Sequence, residues 1–358
     1  MRRGLLVLIA LICIETVSAT SVYKQTPLWS QHVPGKVNSI KTLNNTILVG
    51  AENGVYSIDY NKRQLWFHPT GGSVTAIKVW NNTIAASSDG ALVLLDTSTG
   101  RMLWERRIPG YVGYDSAIDA NKDGILCGSM DGFVYMLDVN GTFKWKHLIG
   151  SYVTNVRLFD DMEVAVSDRQ VYILDNEGKV RRNLDISGYI GASAITRDRI
   201  VVGMDEGGVY AYSPNGNVMW ERNMSEYISA IDADVNVTVG TREKQLMRFT
   251  PDGELLWRVN TTESVIAIES RGDYVLASTR DNRVTMYGSG GTIRWYYETD
   301  GKASALSMND RDVASGTTTG GVYYSKLPKR DVMASFMISA AIMLIAGAAI
   351  MVVYRTWK

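Results

Sequence analysis

Tryptophan recurs along this chain at nearly constant intervals, and this periodicity restricts the possible folds more than any other feature. The spacings in the series are 37, 38, 41, 75, 37 and 38 residues, and its members are Trp29, Trp66, Trp104, Trp145, Trp220, Trp257 and Trp295. The gap of 75 residues equals two periods. Its midpoint falls at Arg182, in a segment that keeps the glycine found four residues before most of the other tryptophans. The sequence therefore contains eight copies of one unit, one of which has lost its tryptophan.

Each unit shows the pattern of four short antiparallel strands. Short segments of alternating apolar residues are separated by turn residues, and the last segment carries the tryptophan. Asn-Gly, Asp-Gly or Gly-Gly pairs precede this last segment at residues 140, 215, 252 and 290, and such pairs favour tight hairpins. Because no helical periodicity interrupts the series, a period near 38 residues with four strands predicts a β-propeller.

The two ends of the repeat array complement each other. The last unit, residues 301–327, supplies only three strands, whereas residues 24–33 supply a tryptophan-bearing fourth strand with no unit before it. Pairing these ends would leave the array without free edges. We therefore predict an all-β fold, an eight-bladed β-propeller of four-stranded blades that is closed by the N-terminal strand.

The segment LLDTSTGRMLW, residues 94–104, resembles the tryptophan-docking repeat of pyrroloquinoline-quinone-type propellers, A-x-D-x-x-T-G-K-x-x-W. Leucine and arginine replace the alanine and the lysine, and the matching positions are Asp96, Thr99, Gly100 and Trp104. The resemblance covers about residues 24–327. It implies the propeller fold and a packing role for the tryptophans between neighbouring blades, but it does not specify the function, because this fold carries both enzymes and scaffolds.

The enzymatic members of the family set requirements that this chain meets poorly. The resemblance implies that a quinone dehydrogenase would hold Ca²⁺ with a carboxylate and an amide, use an Asp as base, and often stack the quinone on a vicinal disulfide. The chain has two cysteines, Cys13 and Cys127, and the first lies in a segment that we expect to be removed. We therefore predict a non-enzymatic binding or assembly platform without a cofactor. A dehydrogenase that uses pyrroloquinoline quinone and Ca²⁺ stays as the alternative.

One string resembles the start of a calcium-binding loop. Asp119, Asn121 and Asp123 precede Gly124 in the required order, but Met130 stands where the bidentate glutamate should be. The string also falls where each unit turns between its first two strands. We expect a hairpin turn built from Asp, Asn and Gly, with a weak Ca²⁺ site as the alternative.

Both ends of the chain predict export and membrane anchoring. Residues 1–19 have the basic start, apolar run and small-residue end of a signal peptide. Residues 332–354 carry no charge over 23 positions, which suffices to cross a bilayer. We expect a signal peptide at 1–19, the propeller at 20–328, and a single transmembrane helix with a short cytoplasmic tail at 329–358. The propeller would then lie outside the cytoplasm.

Charge and sequons bear on the partner. The chain carries 37 basic and 37 acidic residues, so we do not expect nucleic acid to bind. Six Asn-x-Ser/Thr sequons give mild support to an exported surface that carries glycans; they begin at Asn44, Asn81, Asn140, Asn223, Asn236 and Asn260.

The units differ most at the residue just before each first strand. In chain order these residues are Lys36, Ser73, Tyr111, Tyr152, Tyr189, Tyr227, Ser264 and Lys302. In a closed ring, four adjacent blades would present tyrosine on one face, opposite the two lysines, and Tyr114 adds a further ring. Two interpretations stay open: inherited packing over the neck of each blade, or an arc that binds an envelope or surface protein, a peptide or a glycan.

Overall fold

The computed structural model describes residues 23–327. The predicted eight-bladed all-β propeller of four-stranded blades is confirmed in this range, which contains 33 strands and two short 3₁₀ turns. The predicted signal peptide, residues 1–19, and transmembrane segment, residues 332–354, lie outside the described residues. From residue 23 to residue 327, no helix is long and apolar enough to span a bilayer.

The strands follow the chain order, four to a blade. Two of them precede the first blade, β1 (Tyr23–Lys24) and β2 (Trp29–His32). Blade 1 contains β3 (Val37–Thr42), β4 (Thr46–Ala51), β5 (Gly54–Asp59) and β6 (Gln64–Pro69). Blade 2 contains β7 (Val74–Trp80), β8 (Thr83–Ser88), β9 (Ala91–Asp96) and β10 (Met102–Arg107). Blade 3 contains β11 (Ile118–Asn121), β12 (Gly124–Gly128), β13 (Phe133–Leu137) and β14 (Phe143–Leu148), and the 3₁₀ turn Asp115–Ala117 precedes it. Blade 4 contains β15 (Val153–Leu158), β16 (Glu163–Ser167), β17 (Gln170–Leu174) and β18 (Val180–Asp185).

The second half repeats this arrangement. Blade 5 contains β19 (Ile190–Ile195), β20 (Ile200–Met204), β21 (Gly208–Tyr212) and β22 (Val218–Asn223). Blade 6 contains β23 (Ile228–Ala233), β24 (Val237–Thr241), β25 (Gln245–Phe249) and β26 (Leu255–Asn260). Blade 7 contains β27 (Val265–Arg271), β28 (Tyr274–Thr279), β29 (Arg283–Tyr287), the 3₁₀ turn Ser289–Gly291 and β30 (Ile293–Glu298). Blade 8 contains β31 (Ala303–Met308), β32 (Asp312–Thr317) and β33 (Gly321–Lys326), with β2 as its fourth strand. The first strand of every blade contacts the first strands of both neighbouring blades, so these eight strands surround the axis.

The N-terminal strand closes the ring in blade 8. Strand β2 pairs antiparallel with β33, with Trp29 opposite Tyr324. The prediction that residues 24–33 supply a tryptophan-bearing fourth strand is confirmed by β2. Lys24 belongs to β1, which pairs in parallel with β30 and adds a fifth strand to blade 7. Lys24 Nζ lies 2.7 Å from Glu298 Oε2 across this edge. The N-terminal segment therefore spans the junction between blades 7 and 8.

Alternating strand directions divide the connections between two faces. We call the upper face the one that carries the connections between blades and the turns between second and third strands. The lower face carries the turns between first and second strands and those between third and fourth strands. Residues 25–28, which lead into β2, and Lys326, which ends β33, both lie at the lower face. The chain thus enters and leaves blade 8 on the side opposite the inter-blade connections.

The tryptophans of the repeat link each blade to the next one. Five indole Nε1 groups donate to a backbone carbonyl in the third turn of the following blade, at 2.9–3.1 Å; the pairs are Trp29–Tyr60, Trp66–Thr97, Trp104–Val139, Trp145–Asn176 and Trp220–Pro251. In four of these five turns a glycine follows the acceptor within three residues, because the ring needs its space: a Cβ on Gly100 would lie 2.4 Å from the Trp66 ring. Trp257 packs against Gly291 in the same way. Trp295 is 1% exposed, and its Nε1 has no acceptor among the described residues, because the chain termini replace the third turn of blade 8.

Candidate binding surface

The residues that precede the first strands lie on the upper face, where the second turn of the same blade holds their backbone. A backbone N–H of that turn donates to the carbonyl oxygen at 2.8–3.0 Å in five blades; the pairs are Met130–Tyr111, Asp205–Tyr189, Arg242–Tyr227, Arg280–Ser264 and Thr318–Lys302. The carbonyl is thus satisfied within the blade, and the side chain is left at the surface. In these five blades the bond holds the residue at equivalent positions around the axis.

The tyrosines of this face are accessible. Tyr111, Tyr114, Tyr152 and Tyr189 are 37–50% exposed, and Tyr227 is half-buried. Tyr114 stands just before the 3₁₀ turn of blade 3, and its carbonyl accepts from the Ala117 N–H at 3.0 Å. We call these five residues the tyrosine arc. Since exposed aromatic rings bury large apolar areas when covered, the arc is a candidate contact surface.

Two arginines hold rings of the arc in place. The Arg169 guanidinium lies 3.9 Å from the ring centre of Tyr189, and that of Arg242 lies 3.4 Å from the ring centre of Tyr227. Burial and a hydrogen bond to Asp205 raise the pKa of Tyr227. Stacking of this kind contributes about 0.5–1 kcal/mol at an exposed site. The two rings are therefore ordered before any partner arrives.

Carboxylates surround the arc, and the comparison of units by their tyrosines alone missed them. They occupy the second turns of seven blades, as Glu52, Asp89, Asp131, Asp168, Asp205, Glu206, Glu243 and Asp281. The same turns carry four basic residues, of which two stack on tyrosines and a third, Lys244, pairs with Glu263 at 3.0 Å. Lys36 is half-buried and Lys302 exposed on the opposite side of the ring. The acidic residue that recurs in the second turns is the sequence signal that identifies these carboxylates, which we call the rim of the upper face.

The lower end of the axial channel holds a separate group of charges. A cavity of about 640 Å³ is lined there by residues that include Arg157, Asp232 and Glu269. Lys41 Nζ lies 2.7 Å from Asp115 Oδ2 in the same cavity. Burial and the nearby Asp232 raise the pKa of Glu269 to about 8, and burial also raises that of Asp232. The channel thus carries lysine–aspartate pairs and Arg157 on blades 1–4, and a carboxyl pair on blades 6 and 7.

The structure separates the residues of the calcium-like string. The Asp119 side chain is buried, with one oxygen 2.6 Å from Lys78 Nζ and the other accepting from the Leu158 N–H at 2.9 Å. Asn121 Oδ1 accepts from the Asp123 N–H at 2.8 Å within the hairpin turn. Among residues 23–327, no group of three or more His, Cys, Asp or Glu side chains converges as a metal site would.

Two carboxylates of blade 3 at the channel are already paired. Asp115 and Asp119 each lie within ion-pair distance of a lysine, so a cation bound at either of them would have to displace that lysine. Cys127 is a buried free thiol, and burial raises its pKa to about 12. We derive no redox chemistry from this channel.

The sequons lie on both faces. Asn44, Asn81, Asn140 and Asn236 stand in turns of the lower face, and Asn223 and Asn260 end the fourth strands of blades 5 and 6. All are exposed except Asn236, which is half-buried. None belongs to the tyrosine arc.

Comparison with known proteins identifies the family. A family described as the outer membrane protein assembly factor BamB matches residues 205–335, and one described as the λ-carrageenase β-propeller domain matches residues 82–199. No curated protein sequence matches the chain. The repeats, the fold and these matches place the chain in the pyrroloquinoline-quinone-like β-propeller family.

Solved structures share the fold at low sequence identity. The designed protein Ika8 aligns with a TM-score of 0.77 at 19% identity, over 85% of this chain and 100% of its own. BamB from Moraxella catarrhalis aligns with a TM-score of 0.72 at 16% identity, over 85% of this chain and 98% of its own. Chaetomium thermophilum Sqt1, in a structure where it is bound to the N-terminus of the ribosomal protein L10, aligns with a TM-score of 0.70 at 13% identity, over 86% of this chain and 100% of its own. At these identities the likeness establishes the fold only.

Proposed function

We propose that this protein is a non-enzymatic platform whose upper face binds another protein or a peptide. The observation that carries the proposal is the tyrosine arc, a set of accessible rings at equivalent positions on adjacent blades. Tyrosine and arginine are the residue types that most often dominate binding energy at interfaces. The family match to an assembly factor and the fold shared with peptide-bound Sqt1 support the same class of function.

The charges of the upper face favour a basic partner. The rim carries eight carboxylates on its second turns, whereas two of the four basic residues there are engaged with tyrosine rings. A segment with lysine or arginine next to apolar side chains would place its charges on the rim and its apolar groups on the arc. We therefore propose a basic, partly apolar peptide segment as the occupant, with a glycan as the competing outcome.

The predicted signal peptide and membrane segment give the platform a location. We propose that the chain is exported and anchored by residues 332–354, which follow the end of β33 at Lys326 on the lower face. The tyrosine arc lies on the other face of the propeller. The partner would then be a protein of the envelope or of the cell surface.

The test is crosslinking in intact cells followed by mass spectrometry, with the wild-type chain compared with the double variant Tyr152→Ala/Tyr189→Ala. Both side chains are exposed, so the fold should be unaffected. Since truncation of a hot-spot residue costs about 2 kcal/mol or more, we expect recovery of the crosslinked partner to fall at least about tenfold.

The matched control is Tyr23→Ala, which removes another exposed tyrosine, on the edge strand of blade 7. It should leave recovery unchanged. Equal recovery from the double variant and the wild-type chain would refute the proposal, and a crosslinked glycan without protein would redirect it.

A further inference from the structure

Blade 4 is the one blade whose repeat position lacks the tryptophan seen in the other seven. The position belongs to Arg182 in β18, whose side chain is exposed. In the third turn of blade 5, Pro214 corresponds to Thr97, Val139, Asn176 and Pro251, which accept from an indole in their own seams. Among residues 23–327, no side chain donates to the Pro214 carbonyl. The seam between blades 4 and 5 therefore keeps the acceptor of the docking bond but not its donor.

The space that the indole would fill is open. A cavity of about 420 Å³ lies in this seam, lined by Asp161, Met162, Arg181, Arg182, Pro214 and Asn215. The glycine that makes room for the ring is also retained. A Cβ on Gly216 would lie 3.0 Å from Leu184 Cδ2 and 3.7 Å from Arg182 Cγ, whereas a Cβ on Gly178 would lie 2.5 Å from the Trp145 ring in the neighbouring seam. The seam thus has the shape of an indole site without the indole.

The charges beside the cavity identify what could enter. Within the described part of the chain, neither Arg181 nor Arg182 has a carboxylate within ion-pair distance. The acidic residue of the lining, Asp161, is already paired with Arg197 at 3.1 Å. Arg181 already interacts with a carboxylate of its own blade, since its charge helps to lower the pKa of Asp175. Arg182 at the mouth of an aromatic site favours a ligand with a carboxylate next to the ring, because arginine both pairs with carboxylates and stacks on aromatic faces.

We propose that the seam between blades 4 and 5 binds an aromatic side chain, preferably tryptophan, from an acidic segment of a partner protein. The indole would occupy the position that Trp29, Trp66, Trp104, Trp145 and Trp220 occupy in their own seams, and its Nε1–H would donate to the Pro214 carbonyl. Arg182 would pair with a flanking carboxylate. This site lies on the lower and outer side of the ring, so it is independent of the tyrosine arc and of the proposed function.

The probe is the peptide Ac-Glu-Trp-Glu-NH₂ with 5-fluorotryptophan, titrated into the full-length chain and followed by ¹⁹F NMR. We expect saturable binding. The affinity should fall at least about tenfold when fluorophenylglycine replaces 5-fluorotryptophan in the peptide, because the smaller ring does not fill the site and cannot donate the Nε1–H hydrogen bond to the Pro214 carbonyl. Absence of saturable binding at millimolar peptide would overturn the proposal.

Two variants of the protein locate the site. Arg182→Trp supplies the missing indole from the chain itself, so it should raise the melting temperature and abolish peptide binding, whereas Asn183→Trp on the opposite face of β18 should do neither. Arg181→Glu/Arg182→Glu changes exposed side chains only. It should weaken binding of the acidic peptide at least about tenfold and restore binding to a Lys-Trp-Lys peptide. Unchanged binding of the acidic peptide to either variant would place it elsewhere and overturn the proposal.

Discussion

Replacement of Trp220 by alanine should destabilise the propeller strongly, whereas Arg182→Ala, at the equivalent position of the preceding blade, should have almost no effect. Trp220 is 6% exposed, its Nε1 donates to the Pro251 carbonyl at 2.9 Å, and its ring stacks on Phe249 with centroids 6.1 Å apart. Arg182 is exposed and makes no docking bond. The two positions share a place in the repeat but not the contacts that stabilise a seam.

The magnitude follows from burial. Removal of a buried tryptophan costs about 3–5 kcal/mol, whereas an exposed substitution stays within about 0.5 kcal/mol. For about 300 residues at about 2.1 cal/mol/K each, the unfolding entropy is about 0.6 kcal/mol/K. Trp220→Ala should therefore lower the melting temperature by about 5–8 °C, and Arg182→Ala should change it by less than about 1 °C.

Differential scanning calorimetry of the full-length chain measures both shifts. Trp220→Phe separates the packing contribution from the hydrogen bond, because it keeps most of the ring and leaves the Pro251 carbonyl unpaired at a cost of about 1–3 kcal/mol. Its melting temperature should fall between those of the wild-type and alanine variants. If Arg182→Ala lowered the melting temperature as much as Trp220→Ala, the indole would not be the element that holds neighbouring blades together.

Three further outcomes are expected. Burial, with Asp175 nearby, raises the pKa of Glu163 from 4.5 to about 7; because deprotonation then costs more in the folded state, stability is lost as pH rises through this interval. Glu163→Gln should melt higher than the wild type at about pH 8, with no difference at about pH 4, and an equal gain at both pH values would contradict this reasoning. Gly100→Ala should lower the melting temperature, because φ is +68° and a Cβ would clash with the Trp66 ring. An unchanged melting temperature would show that the turn can rearrange to accommodate the methyl group. Cys127 should resist a maleimide until the protein unfolds, since the thiol is buried and its pKa is about 12; labelling of the native chain would contradict its burial.

The number of blades, their four strands and the closure in blade 8 could be predicted because the packing contacts repeat. Most seams use the same ring, acceptor and glycine, so the spacing of Trp66, Trp104 and Trp145 gives the length of a blade directly. The fifth strand of blade 7 was not predictable in this way. Tyr23–Lys24 is a two-residue strand held by pairing with β30, a contact that no other blade repeats.

Less of the candidate site could be predicted, for a related reason. The positions of the tyrosine arc were predictable from the repeat, but the stacking of Arg169 on Tyr189 and of Arg242 on Tyr227 depends on side-chain directions in the second turns. The pairing of Asp119 with Lys78 likewise joins two blades at the channel, and no local pattern signals it. Contacts between blades that occur once are invisible to a periodic analysis.

Departures from the repeat are therefore the informative positions of this chain, and they are not spread evenly around the ring. Blades 7 and 8 depart from it where the ring is closed, through β1, β2 and the unpaired Nε1 of Trp295. Blades 3 to 6 depart from it at two other places: they present tyrosine at the upper face, and the seam between blades 4 and 5 has lost its tryptophan. A residue retained in every blade serves the ring as a whole, so a site that recognises one partner must be built from residues that differ between blades. On this argument, the half of the propeller formed by blades 3 to 6 is where binding should be sought.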